Sequence, residues 1–203
     1  MPKIVVAGVV VFLAVMFALP GLKGDSYSAS HDSISEGALG RYGALQTVAF
    51  VILGLSSLAL VRLVADNTTS RLGTIGAVLL AVWSVGVLLC AVFEIDAGAA
   101  GETTAAKVHL AAAFVAFLAG LAAVWLTTFA LRDQSPFVWS LAFAIVCTLA
   151  FVVTGAAPQD SSWGGLAQRS FTVLLLLWMA AIAVALPQQH VDVAARAEVV
   201  ATL

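Results

Sequence analysis

Six long apolar runs, separated by short polar segments, dominate the sequence. They lie near residues 4–20, 43–65, 73–93, 108–131, 137–157 and 169–187. A helix needs about 20 apolar residues to cross the hydrocarbon core of a bilayer, and it satisfies its own backbone polar groups there. Each run is close to that length, and none alternates apolar with polar residues as a membrane β-strand does. We therefore predict an all-α, polytopic membrane helical bundle with six transmembrane helices.

The composition leaves no room for a soluble domain. Hydrophobic residues make up 62 % of the chain and charged residues 10 %, whereas soluble domains carry about 25 % charged residues. We therefore expect residues 1–203 to form a single integral membrane domain. The net charge of -2 argues against a nucleic-acid partner, because nucleic acids are bound by basic patches. Cys90 and Cys147 lie inside apolar runs and are interpreted as buried hydrophobic residues.

The positions of the basic residues predict the orientation. With the N-terminus in the cytoplasm, the basic residues next to the two short inner loops lie on the inner side, as the positive-inside rule requires. Those flanking residues are Arg62, Arg71 and Arg132. We therefore predict that both termini are cytoplasmic and that the outer loops span 21–42, 94–107 and 158–168. The first apolar run lacks a small-x-small cleavage site, so we expect it to stay as a helix.

Acidic residues gather in the predicted outer loops. They are Asp25, Asp32, Glu36, Glu94, Asp96, Glu102 and Asp160. In a chain made mostly of Ala, Val and Leu, this outer face is where chemistry or binding can occur. Long polar loops on one side of a scaffold commonly carry function.

Three cations stand among these acids, each near the predicted start of a helix. They are Arg41, Lys107 and Arg169. A cation is disfavoured at a helix N-terminus, which carries positive partial charge. Nearby acids would compensate through a ring of salt bridges; alternatively, the cations and helix ends together would bind an anion. We keep all three as candidate ligand-binding residues.

Asp96 and His109 form a candidate acid/base pair. Asp96 ends the third apolar run, and His109 lies about one turn inside the fourth, where an ionisable side chain suggests function. The two runs form a hairpin, so the carboxylate could orient the imidazole as a base or as a proton relay. A purely structural hydrogen bond is the alternative. His31 could complete a zinc site, but the spacing matches no metal motif, and we predict neither a metal nor a cofactor.

The first outer loop supplies the other candidates. His31, Asp32, Ser35 and Glu36 are predicted ligand-binding residues there, and Asp160 is the acid expected near Arg169. Ser33 and Glu36 have the spacing of a capping box, which predicts a short helix leading towards the second apolar run.

These residues resemble the motifs of a prokaryotic membrane family catalogued as domain of unknown function 998. The matching positions are Ile34, Ser35 and Gly37, then Asp96 and His109, and finally Gly165 and Arg169. The resemblance covers nearly the whole chain and implies a six-helix protein of a prokaryotic plasma membrane, without an assigned activity. More distantly, the Ile-Ser segment is similar to the Frag1/DRAM/Sfk1-like proteins, which implies a connection with lipid handling.

Three functions follow as hypotheses. The first is a protein that binds, remodels or moves a membrane lipid or lipid-linked anion at its outer mouth. The second is a non-catalytic accessory subunit that packs beside a larger membrane complex, as the Ala- and Gly-rich helix faces suggest. The third is a small proton-coupled transporter, which would need ionisable groups near the midplane. Whether the protein is an enzyme is left open.

Overall fold

The described part of the protein is helical throughout. The structure is a computed structural model, and it describes residues 1–99, 101–158 and 161–187. The long helices are α1 (Pro2–Lys23), α2 (Gly43–Asn67), α3 (Arg71–Val92), α4 (Thr104–Ala130), α5 (Phe137–Ala156) and α6 (Gly164–Ala185). All six are long and apolar enough to cross a membrane, which confirms the predicted fold class.

The start of α6 differs most from the prediction, because this helix begins at Gly164 rather than near residue 169. No side chain caps it; instead, the backbone N–H of Leu166 donates to the carbonyl of Ser30 at 3.1 Å. A helix start leaves its first amides without intrahelical partners. Here a distant loop supplies an acceptor, and no local pattern in the sequence predicts that contact.

The helices pack as a closed ring. Each packs against the next in sequence, α6 returns to α1, and α6 also contacts α2 and α4. In the most apolar stretch of α6, 56 % of the residues are buried inside the bundle, whereas in that of α5 only 17 % are buried. α6 is therefore the central helix and α5 the one most exposed to lipid. The largest fully buried side chains include Phe12, Trp83, Phe171 and Trp178.

The first loop lies at one end of the bundle, which we call the loop end. There α1, α3 and α5 finish and α2, α4 and α6 begin. Segment 24–42, the first loop, contains the 3₁₀ turns Gly24–Ser26 and Ser35–Ala38. The prediction that this end faces away from the cytoplasm stays a prediction.

Candidate functional site

Arg169 fastens the first loop to α6. Its side chain lies in the second turn of α6 and is only 2 % exposed. Nη1 donates to the carbonyl of Asp32 at 2.7 Å and to that of Gly165 at 3.0 Å, and Nη2 donates to the Tyr27 hydroxyl. The Tyr27 hydroxyl in turn donates to the carbonyl of Ser33 at 3.0 Å. This cation is therefore enclosed by the loop rather than open to a ligand.

Gly165 allows the loop to approach α6 this closely. A Cβ at this position would overlap the carbonyl oxygen of Asp32 and lie 2.9 Å from that of Ala29. Both atoms belong to backbone, which cannot rotate away as a flexible side chain would. The Gly-x-x-x-Arg spacing thus places Gly165, which the loop backbone contacts, one helical turn before Arg169, which holds the loop by hydrogen bonds.

Two further side chains hold the loop in place. Lys23, at the end of α1, donates from Nζ to the carbonyls of Gly37 at 3.1 Å and Leu39 at 2.6 Å. Gln168 Oε1 in α6 accepts from the backbone N–H of Ile34 at 2.8 Å. Neither residue was among the predicted site residues, because their partners are backbone groups distant in sequence.

The predicted capping box is confirmed. Glu36 Oε2 accepts from the backbone N–H of Ser33 at 2.7 Å, and Ser33 Oγ accepts from that of Glu36 at 3.3 Å. The short helix Ser35–Ala38 follows. Glu36 Oε1 also accepts from the N–H of Gly98 at 2.8 Å, so this carboxylate joins the first loop to the segment after α3.

His109 joins α3, α4 and the first loop. Its side chain is 1 % exposed; Nδ1 lies 2.7 Å from the Phe93 carbonyl oxygen, and Nε2 lies 2.8 Å from Ser35 Oγ. A carbonyl oxygen can only accept, so Nδ1 carries the proton in the neutral ring. Nε2 then accepts from the Ser35 hydroxyl. Ser35 and His109 were both predicted site residues, but their contact with each other was not predicted.

Asp96 has hydrogen-bond partners other than His109. Its Oδ2 accepts from the backbone N–H groups of Glu102 and Thr103, each at 2.8 Å, and Oδ1 accepts from Thr103 Oγ1 at 2.9 Å. The structure therefore does not pair Asp96 with His109, whose two ring nitrogens have the partners given above. The hydrogen bonds of Asp96 close the segment between α3 and α4 locally, and Thr103 caps α4.

This local network predicts a pH dependence. Hydrogen bonds from Thr103 first, then Glu102, hold the pKa of the Asp96 carboxyl below its usual value. When folding lowers the pKa of a carboxyl group, the ionised group stabilises the folded state. That stabilisation is fully present above the pKa of the unfolded state, and it is lost as the pH falls through the pKa of the folded state. Hydrogen exchange, corrected for the intrinsic rate, should show the amides of residues 102 and 103 protected near neutral pH and unprotected in acid. If the amides of residues 102 and 103 were protected in Asp96→Asn as they are in the wild-type protein at every pH, this role of Asp96 would be contradicted.

The other predicted cations do not reach the buried network. Arg41 is exposed and lies over the ring of Tyr42, with its guanidinium carbon 4.6 Å from the ring centroid. Lys107 is also exposed. The structure thus does not bring Arg41 and Lys107 into the buried network around Arg169. Asp160 lies outside the described residues.

His31 and Asp32 pair at the surface of the first loop. His31 Nδ1 lies 2.8 Å from Asp32 Oδ1, and Asp32 Oδ2 accepts from the backbone N–H of Ser28 at 2.7 Å. Burial raises the pKa of Asp32, but the Ser28 and His31 contacts and the charge of Arg169 together lower it below its usual value. For Tyr27, burial raises the pKa despite the opposing charge of Arg169. Both shifts help to hold these side chains in the charge states that the network requires at neutral pH.

Two cavities border this network. The mouth cavity, of about 280 Å³, lies between the first loop, the end of α5 and the start of α6; its lining includes His31, Ser33, Glu36, Thr154, Ala157 and Gln168. The inner cavity, of about 40 Å³, lies within the bundle; its lining includes Ser35, Phe50, Trp83, Cys90, Phe117 and Gln168. Gln168 lines both, so its side chain stands at their boundary.

A model of one protein family matches nearly all of the described chain. The family is described as "Protein of unknown function (DUF998)", and the match covers residues 6–185. The chain belongs to the DUF998 family. The resemblance inferred from the motif residues is thus confirmed. The structure adds that residues of all three motifs meet at the first loop, since Ser35 lies in it, His109 is bonded to Ser35, and Arg169 donates to Asp32. No curated protein and no solved structure matches this DUF998 member.

The motif residues of this DUF998 chain divide into two groups. Ser35 and His109 form a hydrogen-bonded pair beside the inner cavity, whereas Gly165 and Arg169 hold the first loop. Asp96 stands apart, at the surface. In the part of the chain that the structure describes, no three His, Cys, Asp or Glu residues are grouped to hold a metal ion.

Proposed function

We propose that this chain binds the polar headgroup of a membrane lipid in the mouth cavity. The observation that carries the proposal is the position of the cavity, between a polar loop and the helix most exposed to lipid. A lipid headgroup needs a polar recess at the membrane surface, and its acyl chains need an apolar face immediately below.

The polar wall favours a headgroup that carries hydrogen-bond donors. Glu36 is the acidic residue of the described lining, and Gln168 adds an amide. Among the described lining residues there is no Lys or Arg, and Arg169 is already engaged by the first loop. An ammonium or hydroxyl group would therefore find acceptors here, whereas a phosphate alone would not be neutralised. The sequence predicted a lipid or a lipid-linked anion as the ligand. The lining of the mouth cavity favours a lipid whose headgroup is recognised through its hydrogen-bond donors.

The helix faces next to the cavity suit acyl chains. Leu149, Val152 and Val153 of α5 are exposed by 61, 60 and 49 %. At the start of α6, Trp163 and Leu166 are exposed by 42 and 56 %. Trp is enriched at membrane–water interfaces because its ring is apolar and its N–H is polar. A lipid whose headgroup entered the cavity would therefore lay its chains along these side chains.

Filling the cavity should weaken this binding strongly. In Ala157→Phe the new ring would occupy the cavity wall, whereas in Ala156→Phe it would lie on the neighbouring exposed position of α5. We expect the wild-type protein and Ala156→Phe to retain phosphatidylethanolamine or phosphatidylglycerol in native mass spectrometry, and Ala157→Phe to bind it about tenfold more weakly or worse.

Phosphatidylcholine serves as the headgroup control, because its trimethylammonium group has no hydrogen-bond donor. We expect it to bind more weakly than phosphatidylethanolamine. Equal retention of all three lipids by both variants and the wild-type protein would contradict the proposal.

The accessory-subunit and transporter hypotheses stay predictions. Purification in a gentle detergent tests the first, since an accessory subunit would carry its larger partner with it. The transporter hypothesis has less support, because the described spans carry His and charged side chains only towards their ends, as His109 and Arg169 illustrate. Proton-coupled carriers place such groups near the midplane.

A further inference from the structure

We infer that Ser35 and His109 form a nucleophile and general-base pair that cleaves a carboxylic ester with a short acyl group. The inference rests on the proposed function, because the alcohol part of the ester would be the lipid held in the mouth cavity. The inner cavity would receive the acyl part. Ser35 lines the inner cavity and is bonded to His109, and Gln168 lines both cavities.

The hydrogen-bond directions suit this chemistry. The Phe93 carbonyl fixes the Nδ1 proton and the ring orientation of His109, which leaves the Nε2 lone pair directed at the Ser35 hydroxyl at 2.8 Å. An activated serine needs a base within about 2.6–3.2 Å, and that base is usually oriented by a third group. A backbone carbonyl takes the orienting role here. It does not supply the negative charge of a carboxylate, so we expect a slower enzyme than one with an acidic third member.

The space beside Ser35 also points to a bound polar group. A purely structural Ser–His hydrogen bond needs no cavity, yet Ser35 lines one of about 40 Å³. Trp83 lines the same cavity, and its buried indole N–H has no partner among the described residues. The Gln168 side chain uses its oxygen to hold Ile34. Its Nε2 amide therefore remains as a donor for a developing oxyanion, a group that acyl transfer requires.

The size of the inner cavity limits the acyl group. A water molecule needs about 10–15 Å³ of cavity volume, so the inner cavity holds about three water-sized groups. That is the size of an acetyl group. A long acyl chain would have to displace Phe50 or Phe117, which line the cavity, and close-packed interiors resist such changes.

The reaction proceeds in two steps. Ser35 Oγ attacks the ester carbonyl carbon while His109 Nε2 takes the hydroxyl proton; the C–O bond to the alcohol then breaks, and the alcohol leaves with that proton. Water, deprotonated by the same Nε2, attacks the acyl-Ser35 carbonyl. The acid departs as Ser35 Oγ recovers the proton. No oxidant, reductant or metal is required.

A covalent probe tests the pair directly. The full-length protein in detergent is treated with an ethoxy fluorophosphonate and mapped by peptide mass spectrometry. We expect the adduct on Ser35, no adduct there in Ser35→Ala, and labelling about a hundredfold slower or worse in His109→Gln, since general bases contribute about 10²–10⁴-fold. Ser170→Ala, which alters an exposed serine of α6, should label at Ser35 as the wild-type protein does.

Folding is monitored in parallel by size-exclusion chromatography and thermal melting. Gln is chosen at position 109 because its amide can keep bonds to both the Phe93 carbonyl and the Ser35 hydroxyl. Folded wild-type protein without an adduct at Ser35, or equal labelling of folded His109→Gln, would overturn the inference. Turnover of p-nitrophenyl acetate should exceed that of the octanoate ester, and the reverse order would overturn the limit on acyl size.

These readouts separate the inference from the proposed function. The probe and p-nitrophenyl acetate arrive from water, so neither needs a lipid in the mouth cavity. Lipid binding without labelling of Ser35 would overturn the catalytic pair alone. Labelling of Ser35 without lipid binding would overturn the lipid proposal alone, and the ester would then have a water-soluble alcohol part.

Discussion

Replacing Arg169 with Met is expected to lower the free energy of unfolding by about 2–4 kcal/mol. Met fills most of the space of the Arg stem, but it leaves the carbonyls of Asp32 and Gly165 and the Tyr27 hydroxyl without their donor. Each hydrogen bond to a charged group contributes about 1.5–3 kcal/mol, and removing the buried charge returns part of that sum because its desolvation is no longer required.

Arg41→Met is the matched control for this substitution. Arg41 is exposed and lies over one aromatic ring, a contact that contributes about 0.5–1 kcal/mol at exposed sites. Thermal melting in one detergent should show a large loss for Arg169→Met and little change for Arg41→Met. Hydrogen exchange should show residues 28–34 deprotected only in the first variant. Equal melting temperatures for both variants would show that the enclosed guanidinium does not hold the loop.

Replacing Gly165 with Ala is expected to have the second large effect. The added methyl group would overlap the carbonyl oxygen of Asp32 and press against that of Ala29. Relief requires the loop backbone to move away from α6, which would also break the bond from Leu166 to Ser30. Overpacking costs about 1–3 kcal/mol, and the lost hydrogen bond adds about 1 kcal/mol. Thermal melting measures the sum.

Gly155→Ala provides the control, since a Cβ at this exposed position of α5 would have no atom within 4 Å. Ala is favoured over Gly inside a helix by about 1 kcal/mol, so this variant should be neutral or slightly stabilised. If Gly165→Ala melted at the same temperature as Gly155→Ala, the close approach of the loop to α6 would be refuted.

The six helices could be predicted because apolar length is a local property of the sequence. Helix starts could be predicted only where the cap is local. The Ser33–Glu36 capping box was readable from its spacing. The start of α6 was not, because its acceptor is the carbonyl of Ser30, far away in the sequence.

The site residues could be selected from the sequence, but their partners could not. His109 was expected to meet Asp96 across the α3–α4 hairpin. Instead, the nearby amides of Glu102 and Thr103 engage the Asp96 carboxylate, and the Phe93 carbonyl and Ser35 engage the imidazole. Backbone carbonyls and amides carry no sequence signal, and they make most of the contacts in this network. For the same reason, the sequence does not identify Lys23 and Gln168 as the residues that hold the loop.

The most direct test of headgroup binding in the mouth cavity is to map where a lipid contacts the protein. The wild-type chain is placed in nanodiscs that contain phosphatidylethanolamine with a photoreactive diazirine near the headgroup, irradiated, digested and mapped by mass spectrometry. We expect adducts concentrated on the mouth cavity, in the first loop, the last turn of α5 and the first turn of α6. We expect these adducts to be lost in Ala157→Phe but not in Ala156→Phe. Adducts spread evenly around the ends of all six helices, unchanged by Ala157→Phe, would contradict headgroup binding in this cavity.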